Sequence, residues 1–78
     1  MVIIYTTRNC PYCVAAKRLL FSKKVSFEEI DITHRDKMWD KLVELTGGRQ
    51  TVPQIFVDEK LIGGYDDLLK FYNSGKSI

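Results

Sequence analysis

Both cysteines of the 78-residue chain fall within four consecutive residues, Cys10-Pro11-Tyr12-Cys13, and no other feature constrains the fold as much. The tetrapeptide follows the apolar run Val2-Ile3-Ile4-Tyr5 and precedes Ala15, Ala16, Leu19 and Leu20, which recur at helical spacing. This pattern predicts a strand covered on both faces, a short loop over residues 6–9 and a helix from residue 11 to about residue 24. Proline costs nothing at the first helical position, because its missing N–H would have no partner and its fixed φ suits the helix. Cys10 then becomes the N-cap, with its sulfur facing the free N–H groups of Tyr12 and Cys13.

A thiolate can accept those bonds, and the positive end of the helix dipole favours the anion. Cysteines of C-x-x-C pairs at helix starts titrate well below the free value of about 8.5. Cys10 is therefore expected to be the nucleophile. Cys13, one turn further in and close enough to complete a four-residue disulfide ring, is expected to be the resolving thiol. Two structural roles compete with this reading. A disulfide staple over so short a loop adds little chain-entropy stabilisation. A tetrahedral zinc site needs four ligands, whereas the chain offers two thiols and one distant imidazole, His34. Redox chemistry is favoured over both.

The length suits a single domain over residues 1–78 with short loops. Twelve basic and ten acidic side chains give no reason to expect a nucleic-acid or membrane binder. Their distribution is less even, since residues 1–24 carry Arg8, Lys17, Arg18, Lys23 and Lys24 and no acid. A local positive field stabilises a thiolate and attracts anionic thiols. A solvated helix face with lysines matched to its C-terminal dipole explains Lys23 and Lys24 equally well, but not Arg8. The first apolar run is too short for a secretion signal, and no stretch is long and apolar enough to span a bilayer. A cytoplasmic monomer is expected, in a compartment where a lone C-x-x-C is more often catalytic than structural.

Further along, residues 25–32 read as a second strand. Val25 and Phe27 lie on one phase and Ile30 and Ile32 on the other, a slip that marks either a bulge or the strand's end. Thr33 and Asp36 have the spacing of a capping box, which places His34 and Arg35 in the first turn of a second helix. His34 is read there as an exposed residue and not as a catalytic base. Met38, Leu42 and Leu45, flanked by Trp39 and Val43, form the buried stripe of this helix, and Gly47-Gly48 stops it. Residues 54–57 and 60–62 flank Asp58-Glu59 as a tight hairpin. Gly63-Gly64 breaks the second of these strands, and Leu68, Leu69 and Tyr72 mark a third helix that frays over residues 73–78. The order β-α-β-α-β-β-α predicts an α/β fold in three layers, a four-stranded mixed sheet flanked by three helices.

Three segments, Cys10–Cys13, Thr51-Val52-Pro53-Gln54-Ile55-Phe56 and Gly63-Gly64-Tyr65-Asp66-Asp67, resemble in order the signatures of the dithiol glutaredoxins, members of the thioredoxin fold. The resemblance implies a glutathione-dependent thiol–disulfide oxidoreductase that takes glutathione as co-substrate and holds no tightly bound cofactor or metal. Its implied partners are glutathionylated or disulfide-containing proteins, with ribonucleotide reductase a candidate. It also implies a cis Val52–Pro53 bond, with the Val52 backbone N–H and C=O pairing with the cysteinyl part of glutathione as a strand edge does. The first turn at Tyr65-Asp66-Asp67 would receive the γ-glutamyl carboxylate on its N–H groups and the ammonium on an aspartate, Asp66 ahead of Asp67. Arg8, Tyr12, Thr51, Pro53 and Gly64 complete the implied glutathione contacts.

The chain departs from the family pattern at Thr7, where a lysine is common. Arg8 is the candidate substitute, to hold either the thiolate or the glycine carboxylate of glutathione. Neither Arg49 nor Lys37 can be assigned to the glycine carboxylate by spacing. Two alternatives stand beside the main reading: a redoxin reduced by thioredoxin reductase, and a carrier of a glutathione-ligated iron–sulfur cluster. The acidic motif at residues 65–67 argues against the first, and bulky Pro11 and Tyr12 argue against the second.

Overall fold

A computed structural model describes residues 1–78. The elements are β1 (Val2–Thr6), α1 (Pro11–Ser22), β2 (Glu28–Asp31), α2 (Asp36–Leu45), β3 (Gln54–Val57), β4 (Lys60–Gly63) and α3 (Tyr65–Asn73), in the order that the sequence predicts. The strands form one mixed sheet in the order β2-β1-β3-β4. β1 runs parallel to β2 and antiparallel to β3, and β4 returns antiparallel to β3.

Successive strand residues point to opposite faces, so β1 and β3 each feed two cores. Val2, Ile4 and Ile55 pack with Ala16 and Leu20 of α1 and Leu68 of α3. On the other face Tyr5 and Phe56 meet edge to face at 5.7 Å and pack with Ile32 and Leu42 of α2. Two helices on one face and one on the other make the three layers.

The second strand is shorter than expected, since residues 25–27 do not pair. The two apolar phases fall on either side of the strand's start at Glu28, and the β1–β2 register carries no bulge. Val25 and Phe27 pack into the α1/α3 core and Ile30 and Ile32 into the α2 core, so the period of two never breaks. The capping box at Thr33 does not form. Asp31 Oδ1 accepts the Thr33 N–H at 2.8 Å and turns the chain, His34 takes φ 57, and α2 begins only at Asp36 without a side-chain cap. Leu45 is also exposed, and Thr46 is buried in its stead. Steps of four residues carry the inward stripe from Met38 through Leu42 to position 46, where the hydroxyl donates to the Leu42 carbonyl at 2.8 Å.

Candidate dithiol site

The loop bearing Cys10 is tied to the end of β2. The Arg8 N–H donates to Thr33 Oγ1 at 2.7 Å, and Arg8 Nε lies 3.8 Å from Asp31 Oδ2. Thr33, with its hydroxyl and N–H facing Asp31, holds that carboxyl below its usual range. Cys10 is the N-cap of α1 with Pro11 directly after it, and the Cys13 N–H donates to Cys10 Sγ at 3.1 Å. The expected second donor, Tyr12, takes no part, because the cap sulfur reaches the third helical residue. The two cysteines are joined in a disulfide with Cα atoms 5.2 Å apart, inside the range such a bond requires. Cys10 is half-buried whereas Cys13 is 1% exposed, so an incoming thiol or disulfide meets Cys10.

Beside Cys10 runs a loop with a cis Val52–Pro53 bond. The Val52 carbonyl oxygen lies 3.9 Å from Cys10 Sγ, and the Val52 N–H has no protein partner. An open groove of about 360 Å³ borders this loop, lined by Tyr12, Arg49, Thr51, Val52, Pro53, Gln54, Gly64, Tyr65, Asp66 and Asp67. The Tyr12 and Tyr65 rings stand 6.2 Å apart in the same groove. The first backbone bond of α3 runs from the Leu68 N–H to the Gly64 carbonyl, which leaves the N–H groups of Tyr65, Asp66 and Asp67 ahead of the helical ladder.

The groove thus gathers every implied glutathione contact except Arg8. That residue lies beyond the cysteines, in a second hollow that Cys10, Cys13, Lys17, Glu29 and Asp31 also line. Arg49 occupies the groove instead, with Nη1 3.1 Å from Asp67 Oδ2, and Lys37 does not line it. The Asp67 carboxylate also accepts the Gly64 N–H at 3.1 Å; Gly64 has no side chain to return the bond. The Gly64 N–H and, after opposing desolvation, Arg49 hold Asp67 below its usual value. Asp66 is exposed and has no ion-pair partner.

Three supporting residues escape sequence reasoning. Gln54, 2% exposed, donates from Nε2 to the Thr51 carbonyl at 3.0 Å and to Thr51 Oγ1 at 3.2 Å, which braces the loop from below. Its polar side chain amid apolar neighbours was the available signal. Thr46 Oγ1, whose proton goes to the Leu42 carbonyl, accepts the Arg49 N–H at 3.1 Å and so fixes the turn that aims Arg49. Near Cys13, Glu29 accepts from Thr6 Oγ1 at 2.7 Å and Lys17 Nζ at 2.9 Å, and these two bonds, Thr6 first, lower its pKa. Nothing local in the sequence marks these last two arrangements.

An accessible sulfur at a helix N-terminus, a buried partner one turn in and a peptide-sized groove on a mixed sheet together define a dithiol redox protein of the thioredoxin fold. The glutaredoxin family model matches residues 2–62, and the chain belongs to the glutaredoxin family. It is 45% identical to glutaredoxin 1 of Rickettsia prowazekii (strain Madrid E) over 96% of this chain and 80% of that one. Glutaredoxin 3 of Escherichia coli K12 is 51% identical, over 86% of this chain and 80% of its own. A crystal structure of a buckwheat glutaredoxin–glutathione complex superposes with a TM-score of 0.88 at 26% identity, covering 96% of this chain and 70% of that one. The chain is a thiol–disulfide oxidoreductase acting through the Cys10/Cys13 pair.

Proposed function

We propose that the protein reduces protein–glutathione mixed disulfides and protein disulfides in the cytoplasm, with glutathione as reductant and ribonucleotide reductase among its candidate substrates. The observation that carries this reading is the groove beside Cys10, whose lining groups suit the parts of a γ-glutamyl tripeptide. The Val52 N–H and C=O suit the cysteinyl backbone, Asp66 and the first turn of α3 suit the ammonium and carboxylate, and Arg49 suits the glycine carboxylate. Tyr12 and Tyr65 supply apolar wall. The buckwheat relative is itself a complex with glutathione.

In the reaction the Cys10 thiolate attacks the glutathione sulfur of a mixed disulfide. The old S–S bond breaks, the protein sulfur leaves as thiolate and takes a proton from water, and Cys10 becomes glutathionylated. A second glutathione thiolate attacks that bond, releasing glutathione disulfide and the Cys10 thiolate. With a protein disulfide, Cys13 attacks the enzyme–substrate bond instead and closes Cys10–Cys13, which two glutathione molecules then reduce. A redoxin fed by thioredoxin reductase has no use for this groove. The test is NADPH consumption on a glutathionylated peptide, with glutathione plus glutathione reductase in one assay and thioredoxin reductase alone in the other. Turnover is expected only in the glutathione system. Turnover only with thioredoxin reductase would overturn the glutathione assignment.

A further inference from the structure

We infer that the outward face of α1 is a docking surface for the substrate protein, and that it selects segments carrying acidic residues and a large apolar side chain near the reacting cysteine. The inference rests on the proposed deglutathionylation. A mixed disulfide has two arms, and when glutathione fills the groove at Val52 and Asp66, the protein arm must leave Cys10 on the other side. There the hollow at Cys10 and Cys13 shares Val14 and Lys17 with a second hollow of about 340 Å³ between α1 and the segment before β2. The second shares Phe21 and Phe27 with a third of about 710 Å³. A continuous track therefore leads from the reactive sulfur along α1.

Its apolar lining is unusually open to solvent. Phe21 is 80% exposed and Val14 43% exposed. The charge on the track is one-sided. Lys17 is engaged by Glu29, Lys23 stands over the Tyr72 ring at 5.1 Å, and Asp31 is engaged by Arg8, while Arg18 and Lys24 beside Phe21 have no ionic partner. Two unpartnered cations around an exposed aromatic ring complement an acidic segment with an apolar anchor, and such rim charges govern partner choice more than raw affinity. Eleven helical residues from Cys10 to Phe21 rise about 16 Å, roughly five residues of extended chain. The apolar anchor belongs at about that spacing from the substrate cysteine.

The test compares kcat/KM for three substrates: an acidic glutathionylated peptide with Phe five residues to either side of its cysteine, the same peptide with lysines for the acids, and the mixed disulfide of glutathione with free cysteine. Wild type should prefer the acidic peptide by about five- to tenfold, less at high salt. Arg18→Glu should erase or reverse that preference through KM, and Phe21→Ser should raise KM for both peptides. Both variants should keep wild-type activity on the small disulfide, which also certifies their fold, and Lys41→Glu on α2 should change nothing. Equal rates for the two peptides, or a preference that survives Arg18→Glu, would overturn the docking surface while leaving deglutathionylation intact. Failure of wild type on the small disulfide would overturn the deglutathionylation reading and this inference with it.

Discussion

Cys10 Sγ accepts one backbone N–H and faces the Val52 carbonyl at 3.9 Å, while Cys13 stays sealed below it. That asymmetry assigns different losses to the two cysteines. Cys10→Ser should abolish turnover on every disulfide. Cys13→Ser should retain deglutathionylation yet lose reduction of protein disulfides, and a Cys13→Ser protein inert on both substrates would count against a separate resolving role. Asp67 gives a pH prediction. Its carboxyl is held below the usual 3.8, first by the Gly64 N–H and then by Arg49, so its stabilising contribution is complete above pH 3.8 and is lost only as pH falls through the lower folded value. The Gly64 amide NMR signal should therefore shift with a midpoint below pH 3.8, a transition that Asp67→Asn should lack. Cys10, Tyr12, Asp66 and Asp67 were legible because motifs carry them. Arg49 was not, because its aim depends on Thr46 closing a turn, and Arg8 lies outside the groove because Asp31 and Thr33 draw it to the far side of the cysteines.

Among the elements, two junctions place a residue in the left-handed region for opposite reasons. Gly63 ends β4 at φ 121, and a Cβ there would collide with the Asp67 carboxylate and the Arg49 guanidinium. Gly63→Ala should cost about 1–3 kcal/mol in urea unfolding and loosen the groove wall. At the end of α1, Lys24 takes φ 59, and the Val25 N–H closes back on the Leu20 carbonyl at 3.0 Å. This is the position that glycine usually fills after a helix. Lys24→Gly should raise stability by a few tenths to about 1 kcal/mol, since relief of left-handed strain outweighs the added freedom of the unfolded chain. The existence and order of the elements were readable from apolar periodicity. The start of α2 was not, because Asp31 and Arg8 compete for Thr33, the group the cap needed, and Leu45 lost its inward place to a threonine whose hydroxyl the helix itself satisfies.

Across the molecule, the sheet separates two apolar cores and gathers the N-termini of α1 and α3 and the Val52–Pro53 loop around one sulfur. The mixed topology was legible in the chain because the β-α-β opening requires parallel neighbours and the Asp58-Glu59 turn requires antiparallel ones. The groove was legible only as three separated motifs until the fold brought them together. One experiment probes sulfur and groove at once: expose the reduced Cys13→Ser protein to glutathione disulfide, locate the adduct by mass spectrometry and map amide shifts by NMR. A single glutathionyl group on Cys10, with shifts concentrated at Tyr12, Thr51, Val52 and Gly64 to Asp67, is the predicted result. An adduct on Cys10 that leaves those amides unmoved, or no adduct at all, would contradict the account.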